Sequence, residues 1–386
     1  MTTWPSYSEE EIIAVTDILR SGDVNYWTGT ESKNFEKEFA NWCSVNYAVA
    51  LMNGSVALEV ALRALKISFG DEVIVTSRTF IASISSIVVV GATPVFADIS
   101  KDSQNISPES IRGKITSRTK AIICVHLAGW PCEMDEILSI ADENKLYIVE
   151  DCAQAHGAKY KGRSVGSIGH IGCWSFCQDK IMSTGGEGGM VTTNDQKLWL
   201  SMWSYKDHGK SYEESKDRSQ EHSFRFFHNS LGSNFRMTEM QAAIGRIQLL
   251  KITNWTKKRQ KNADKIWSIS RKYKALYVPE IPKHIDHAVY KCYVFIKPNN
   301  LAKGWNRNRI VEEINKLDIP CFHGSCSEVY KEKAFIGSGF IPTKPLPVAR
   351  ELSETSLMFL VHPNLTKSEL NKTCDAISSV MQLASL

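Results

Sequence analysis

From Tyr47 onward the chain alternates between short apolar runs and longer stretches with helical spacing. The runs at 47–52, 72–76, 93–98, 121–126, 146–150 and 190–193 predict buried strands, and the apolar approach at 172–176 has the same character. Stretches with helical spacing lie between several of them, at 55–66, 78–90 and 133–144. Strands that alternate with helices imply a parallel sheet covered on both faces. Ahead of this region, residues 7–20 predict an amphipathic helix with Ser8 as cap, Glu11 three residues on, and Ile12, Val15, Ile18 and Leu19 as its apolar stripe. Gly22 ends it, and a second helix is expected at 32–43.

Past residue 200 the pattern changes. Residues 203–232 are polar and aromatic without a period, and include Lys206-Asp-His-Gly209 and Phe224-Arg-Phe-Phe-His-Asn229. That length without periodicity implies a functional or interface loop. A helix at 238–251 and a charged helix at 255–273 follow, then short strands within 287–296 and helices at 308–316 and 367–383. The expected division is a large domain over 1–250 and a smaller α+β domain over 251–386, with the composition changing near 275.

Composition narrows the function classes. With 386 residues, 43% hydrophobic and 23% charged, this is an ordinary globular chain. A net charge of +4 and one short basic cluster, Lys257-Lys-Arg-Gln-Lys261, on an expected helix face give no reason to invoke nucleic acid. The apolar run at 81–91 is too short to span a bilayer and is broken by serines. No secretory signal is visible, so the expected location is cytoplasmic and no membrane partner is expected. Ten cysteines make no CxxC, and Cys321 and Cys326 lack a second pair, so free thiols rather than a metal site are expected.

In parallel sheets, ligands bind where strands end at their carboxyl side. The first such turn, Asn53-Gly-Ser, offers helix N–H groups and a hydroxyl to a phosphate, or is an ordinary N-cap. Phe80 follows the second strand, as a stacking ring or a core residue. Asp151 follows the fifth and needs a cationic partner, unless it only caps a turn; Gln154 lies one turn on. Lys180 stands between an apolar strand and Gly185, Gly186, Gly188 and Gly189, either as a Schiff-base nucleophile or as a surface lysine before a glycine turn.

Taken in order, Asn53-Gly-Ser, Thr79-Phe80, His126, Glu150-Asp-Cys-Ala-Gln-Ala-His-Gly157, Ser175-Phe-Cys-Gln-Asp-Lys180, Gly186-Glu-Gly-Gly189 and Asn234-Phe-Arg-Met-Thr-Glu-Met-Gln-Ala-Ala243 resemble the DegT/StrS-type nucleotide-sugar aminotransferases. These are pyridoxal 5′-phosphate (PLP) enzymes of fold type I, the aspartate-aminotransferase fold. The resemblance runs from about residue 8 to the end and is densest over 47–250. It implies a mainly parallel seven-stranded sheet flanked by helices, plus a smaller C-terminal α+β domain.

It also implies roles. Lys180 matches the lysine that holds PLP as a Schiff base and shuttles the proton, and Asp151 the carboxylate beside the pyridine nitrogen. Phe80 matches the residue stacked on the ring, Gln154 the one beside its phenolic oxygen, and Gly54, Ser55 and Ser175 the phosphate contacts. Asn234 matches an asparagine that reaches the cofactor phosphate of a partner subunit, which implies a homodimer with shared sites. Three positions depart from the common pattern: Ser55, where threonine is frequent; Arg78, where an aromatic is frequent; and Cys177, where histidine is. Arg78 is expected to meet a substrate phosphate or pair with a core acid. Trp27 and Thr28, Lys206 to Gly209, and the stretch Cys321-Phe-His-Gly-Ser-Cys-Ser-Glu-Val-Tyr330 resemble segments that line the sugar or nucleotide pocket. On that basis Trp27, Thr28, His323 and Tyr330 are substrate candidates, with loop packing as the alternative for each. His126 is expected to be a satisfied strand-end histidine rather than a base.

The implied reaction is a ping-pong transamination. An amino acid, L-glutamate by resemblance, leaves pyridoxamine phosphate on the enzyme, and a nucleotide-linked keto sugar takes the amino group. The product is an amino sugar nucleotide for surface polysaccharide, such as lipopolysaccharide O-antigen, or glycoconjugate synthesis. A 4-keto-6-deoxy hexose is the preferred acceptor and a 3-keto sugar the alternative. Related dehydratases are expected to carry histidine in place of Lys180. A PLP-binding regulatory protein without turnover is a reading of another class, which the full set Lys180, Asp151, Phe80 and Gln154 opposes. A dinucleotide-binding oxidoreductase would want GxGxxG after the first strand, where this chain has Asn53-Gly-Ser-Val-Ala-Leu58.

Overall fold

A computed structural model describes residues 2–216 and 227–386; residues 217–226 of the polar and aromatic stretch at 203–232, which include the first three of 224–229, lie outside the described residues. Two helices, α1 (Glu9–Ser21) and α2 (Glu31–Cys43), precede the strands. Glu11 reaches back to the Ser8 N–H at 2.5 Å, and Gly22 closes α1 in the left-handed conformation. The apolar stripe is only partly covered, with Val15 and Ile18 half-buried. Glu11 is buried and ion-paired with Lys251 at 3.3 Å, whereas Ile12, Ile13 and Leu19 are exposed. A charged anchor, not the stripe, sets the rotation of this helix.

The larger sheet is built from β1 (Tyr47–Leu51), β2 (Glu72–Thr76), β3 (Thr93–Ala97), β4 (Thr119–Val125) and β5 (Tyr147–Asp151). After a short hairpin, β6 (Lys159–Tyr160) and β7 (Arg163–Ser164), it gains β8 (Ile171–Ser175) and β9 (Gly189–Thr193). Its order is β1-β9-β8-β5-β4-β2-β3, so seven strands take part. The sheet is parallel throughout except at β9, which pairs antiparallel with both neighbours. The reason is local: the connection from β8 to β9 has no helix, so the chain returns beside itself instead of crossing over. The crossovers carry α3 (Gly54–Ala64), α4 (Ala82–Val89), α5 (Pro108–Arg112) and α6 (Met134–Asn144).

Side chains alternate across this sheet, as the pleat requires. Val49, Val73, Val75, Ile123, Val149 and Val191 belong to one core cluster, whereas Ile74, Ile122, Cys124 and Ile148 belong to another. The alternation continues to the end of β5 and sends Glu150 and Asp151 to opposite sides.

Beyond the sheet, α7 (Gln196–Lys206) and α8 (Tyr212–Lys216) occupy part of the region expected to be a loop. Two expected helices are one: α9 runs unbroken over Glu239–Ser270, capped by Thr238 and Gln241. Its polar midpoint contains no glycine or proline to stop it. The boundary expected at 250/251 falls inside this helix. Its first half packs through Ala242 and Leu249 against α2 and the sheet. Its second half packs through Ala263, Ile266 and Trp267 against a smaller sheet. That sheet contains β10 (Leu276–Tyr277), β12 (Cys292–Ile296), β13 (Cys321–Phe322) and β14 (Ser356–Phe359), while β11 (Ile285–Asp286) pairs with β6. It is antiparallel, in the order β10-β12-β14-β13, with α10 (Arg307–Asn315), α11 (Pro347–Thr355) and α12 (Lys367–Ala384) around it. Among the described residues no helix is long and apolar enough to cross a membrane.

Candidate active site

The carboxyl ends of β1, β2, β5 and β8 open onto one cavity of about 430 Å³. It is lined by Gly54, Ser55, Phe80, Asp151, Gln154, Ser175 and Lys180, which the sequence placed far apart. Asn53 caps α3, accepting from the Val56 N–H at 2.9 Å, so the N-cap expectation for this turn holds. The main-chain N–H groups of Gly54 and Ser55, in the first turn of α3, have no intrahelical acceptor. Glycine is required at 54, since a Cβ there would lie 2.5 Å from that of Ser175.

Asp151 is buried. It accepts from the Ser83 hydroxyl at 2.8 Å and from the Ala153 N–H at 3.1 Å. Among the described residues no lysine, arginine or histidine makes an ion pair with it. Burial therefore raises its carboxyl above the usual aspartate range, against the pull of Ser83, Ala153 and the more distant Lys180. Among the described residues the cationic partner expected from the sequence is not a side chain. A protonated pyridine nitrogen would supply it.

Lys180 lies in a bend after β8, with its Nζ 3.8 Å from Asp179 and 5.5 Å from the ring centre of Tyr290. Gln154 is oriented by its amide oxygen, which accepts from the Ala128 N–H at 2.8 Å and leaves its NH₂ as the free donor. Phe80 is 67% exposed and presents a phenyl face at the mouth of the cavity. A carboxylate lacking a cation, a lysine, a flat apolar ring and a helix N-terminus in one cavity are a fit for PLP.

A second cavity of about 500 Å³ adjoins the first, sharing Thr79, Phe80, Gln154, Asp179 and Lys180. Its outer wall comes from the smaller sheet and the loops flanking it: Tyr290, Lys291, Tyr293, Phe322, Gly324, Ser325 and Cys326. Tyr290 donates its hydroxyl to Asp179. Burial pushes the Asp179 carboxyl up, but Lys180, that hydroxyl and Lys291 outweigh it and hold the carboxyl below the usual range. Burial brings the Lys291 ammonium down to about 8 against the attraction of Asp179. Tyr293 accepts from the Ser325 N–H at 2.9 Å and packs where a Cβ on Gly324 would be, which fixes the 322–326 stretch.

Other expected positions lie elsewhere. Trp27 packs against Trp203 at 6.1 Å, in an aromatic cluster that lines neither cavity, and Thr28 bonds back to Asn25. His323 is exposed beside the lining residues Phe322 and Gly324. Tyr330 is buried and donates to Glu328 at 2.7 Å, while its neighbour Val329 lines the second cavity. Lys206 is buried and pairs with Glu36 at 3.0 Å. Asn234 is exposed and lines neither cavity, bridging to Asp207. Arg78 takes neither of its expected roles: it is buried, donates to the Ser356 hydroxyl at 2.9 Å and lies over the Tyr293 ring. His126 is satisfied on both sides. Its Nδ1 accepts from the Cys132 N–H at 3.0 Å, which leaves Nε2 protonated toward Glu150 at 3.0 Å.

Ser83, Tyr290 and Lys291 were not singled out by the sequence. Ser83 left a trace, since a serine inside an otherwise apolar helix needs a partner when buried. Tyr290 and Lys291 left none.

The family model described as "DegT/DnrJ/EryC1/StrS aminotransferase family" matches residues 5–378. The solved aminotransferase from Psychrobacter cryohalolentis is 57% identical, with 99% of this chain and 98% of that one covered and a TM-score of 0.97. GDP-perosamine synthase of Escherichia coli O157:H7 is 41% identical over 67% of this chain and 68% of its own. The dTDP-3-amino-3,4,6-trideoxy-alpha-D-glucose transaminase of Streptomyces venezuelae is 32% identical over 95% and 92%. Solved relatives are known in PLP- and PMP-forms. Fold, site and sequence agree, and the chain belongs to the DegT/DnrJ/EryC1/StrS family of PLP-dependent sugar aminotransferases.

Proposed function

We propose that this protein transfers the amino group of L-glutamate to a nucleotide-linked 4-keto-6-deoxy hexose. The observation that carries the reading is Asp151, a buried carboxylate without a cation, in the same cavity as Lys180. Bound there, PLP supplies an aldehyde that condenses with amines and a ring that accepts an electron pair. Gly54, Ser55 and Ser175 bind its phosphate. Phe80 covers one face of its ring, and Gln154 donates to its phenolic oxygen. Asp151 holds the proton on its pyridine nitrogen. Lys180 Nζ takes the proton from the donor's Cα and, in the second half of the cycle, delivers one to the sugar carbon that receives nitrogen. The second cavity, with Lys291 on its wall, takes the anionic parts of donor and sugar nucleotide in turn.

The GDP- and dTDP-linked sugars named for the relatives support a nucleotide-sugar acceptor. The 4-keto choice rests on what is common among the enzymes this sequence resembles, and a 3-keto acceptor is its rival. A second copy of the chain completes each site through Asn234. The use of the product in surface polysaccharide synthesis, and a cytoplasmic location, belong to the same reading.

The first test is the visible absorption of the purified protein before and after L-glutamate, without sugar. A PLP band that bleaches supports the donor half-reaction; a band indifferent to amino donors favours the regulatory reading. Lys180→Ala should fold and show no turnover, and normal turnover by that variant would sink the mechanism. Nucleotide-linked 3-keto sugars that turn over faster than 4-keto ones would overturn the acceptor assignment.

A further inference from the structure

The segment before α1 reaches the back of the lysine. The indole N–H of Trp4 donates to the main-chain carbonyl of Lys180 at 2.7 Å, across 176 residues. Lys180 lies in a bend where neither a helix nor a strand supplies partners. Its own N–H bonds to the Cys177 carbonyl at 3.1 Å. Trp4 is itself held on several sides. Trp255 meets it edge-on at 5.1 Å, His362 stacks on it at 6.2 Å, and the buried guanidinium of Arg259 lies 5.0 Å from its ring centre. A cation over an indole draws electron density from the ring, which makes the N–H a better donor.

Neighbouring residues continue the attachment. Tyr7 lies 3.2 Å from the Ser183 hydroxyl. On the other side Asn364, just before α12, donates to the Thr3 carbonyl at 3.1 Å and to the Ser6 hydroxyl at 2.8 Å. Residues 3–7 thus form a strap fastened alternately to Asn364, through Thr3 and Ser6, and to the stretch 180–183, through Trp4 and Tyr7.

We infer that Trp4 is a positioning residue for Lys180. A lysine side chain has many rotamers, so the placement of its Nζ depends on a fixed main chain beneath it. The inference rests on the reading of Lys180 as the residue that bonds PLP.

The test compares three full-length proteins: the wild type, Trp4→Phe, and a variant with benzothienylalanine at position 4, which keeps ring size and removes the N–H. PLP held at Lys180 is captured by borohydride reduction and located by peptide mass mapping, and kcat and KM for L-glutamate are measured on the folded fraction. Both variants should unfold cooperatively. Loss of one hydrogen bond should lower PLP capture at limiting cofactor about fivefold and kcat by a similar factor, with KM unchanged. Capture and kcat equal to wild type in the benzothienylalanine protein, with only stability reduced, overturn the inference. Wild-type protein that captures no PLP at Lys180 overturns the underlying reading instead, so the two failures are distinguishable.

Discussion

Glu150 and Asp151 are consecutive, buried and acidic, yet the two sides of β5 treat them oppositely. Glu150 accepts from the Gly166, Ile168 and Gly169 N–H groups at 2.9, 2.8 and 2.6 Å, and faces His126 Nε2 at 3.0 Å. Burial pushes its carboxyl up, but His126 and these N–H groups outweigh burial and leave it below the usual glutamate range. Asp151 has two donors, and burial wins. The difference separates structure from chemistry. A carboxylate whose acceptor sites are all filled from its own chain fastens a loop, here residues 166–169 beneath the sheet. One left short of positive charge is poised to receive it from a ligand. The His126, Glu150 and Cys152 cluster has a metal-like composition, but both Glu150 oxygens are already committed.

Removing each charge in turn is the strongest way to break this comparison. Asp151→Asn should leave stability near wild type and slow the L-glutamate half-reaction about a hundredfold or more, the usual cost of losing a preorganised charge at the reacting group. Stopped-flow loss of the PLP band measures it, and near-wild-type rates would remove Asp151 from the mechanism. Glu150→Gln should do the reverse. Loss of a buried, multiply bonded charge should cost about 3 kcal/mol of unfolding free energy, while kcat per folded molecule changes little. Denaturant melts alongside active-site titration separate the two. If Glu150→Gln abolished catalysis at full stability, the division of labour proposed for β5 would be wrong.

A smaller perturbation sharpens the same contrast. Ser83 lies between Thr79, at 2.9 Å, and Asp151, and among the described residues is the one side chain that donates to that carboxylate. Ser83→Ala should slow the donor half-reaction about tenfold, as loss of a hydrogen bond to a charged group would, with KM for the sugar nucleotide unchanged. A pure KM effect would assign Ser83 to substrate binding instead.

How much of this was legible in the sequence follows from what each signal depends on. The seven strands of the large sheet lie within a few residues of the expected runs, because buried parallel strands are apolar throughout. Gly54, Asp151 and Lys180 were found because strand ends are where such sheets bind ligands. The second cavity was less legible for a geometric reason. Its wall comes from the smaller sheet and the loops beside it, where β13 ends at Phe322 and Gly324 turns the chain in the left-handed conformation, so no strand or helix period marks which of residues 322–326 line the cavity. The stretch was identified, and the favoured His323 lies exposed beside the residues that line the cavity. Trp4, Ser83 and Tyr290 act on residues 68 to 176 positions away, and no local pattern encodes such a pairing. The partly exposed stripe of α1 has a related cause, since periodicity shows that a helix is two-faced but not how fully the rest of the molecule covers either face.

The smallest expected effect is in the acid limb of stability, and there the two carboxylates should pull in opposite directions. The folded-state value of Glu150 is depressed, so its contribution is present above the unfolded glutamate value and is lost as pH falls toward the folded one. The folded-state value of Asp151 is raised, so without cofactor the folded state binds its proton more tightly than the unfolded chain does. Its contribution is present below the unfolded aspartate value and is lost as pH rises through the folded one. Denaturant melts of the cofactor-free protein between about pH 3 and pH 7 therefore give two difference curves. Wild type minus Glu150→Gln should grow with pH, and wild type minus Asp151→Asn should shrink. Saturating PLP should flatten or reverse the second curve, because the ring supplies the charge that the chain withholds, and should leave the first alone. Difference curves of the same sign would mean that Asp151 is already neutralised by the protein, and the argument that its cavity is made for a cation would fail with it.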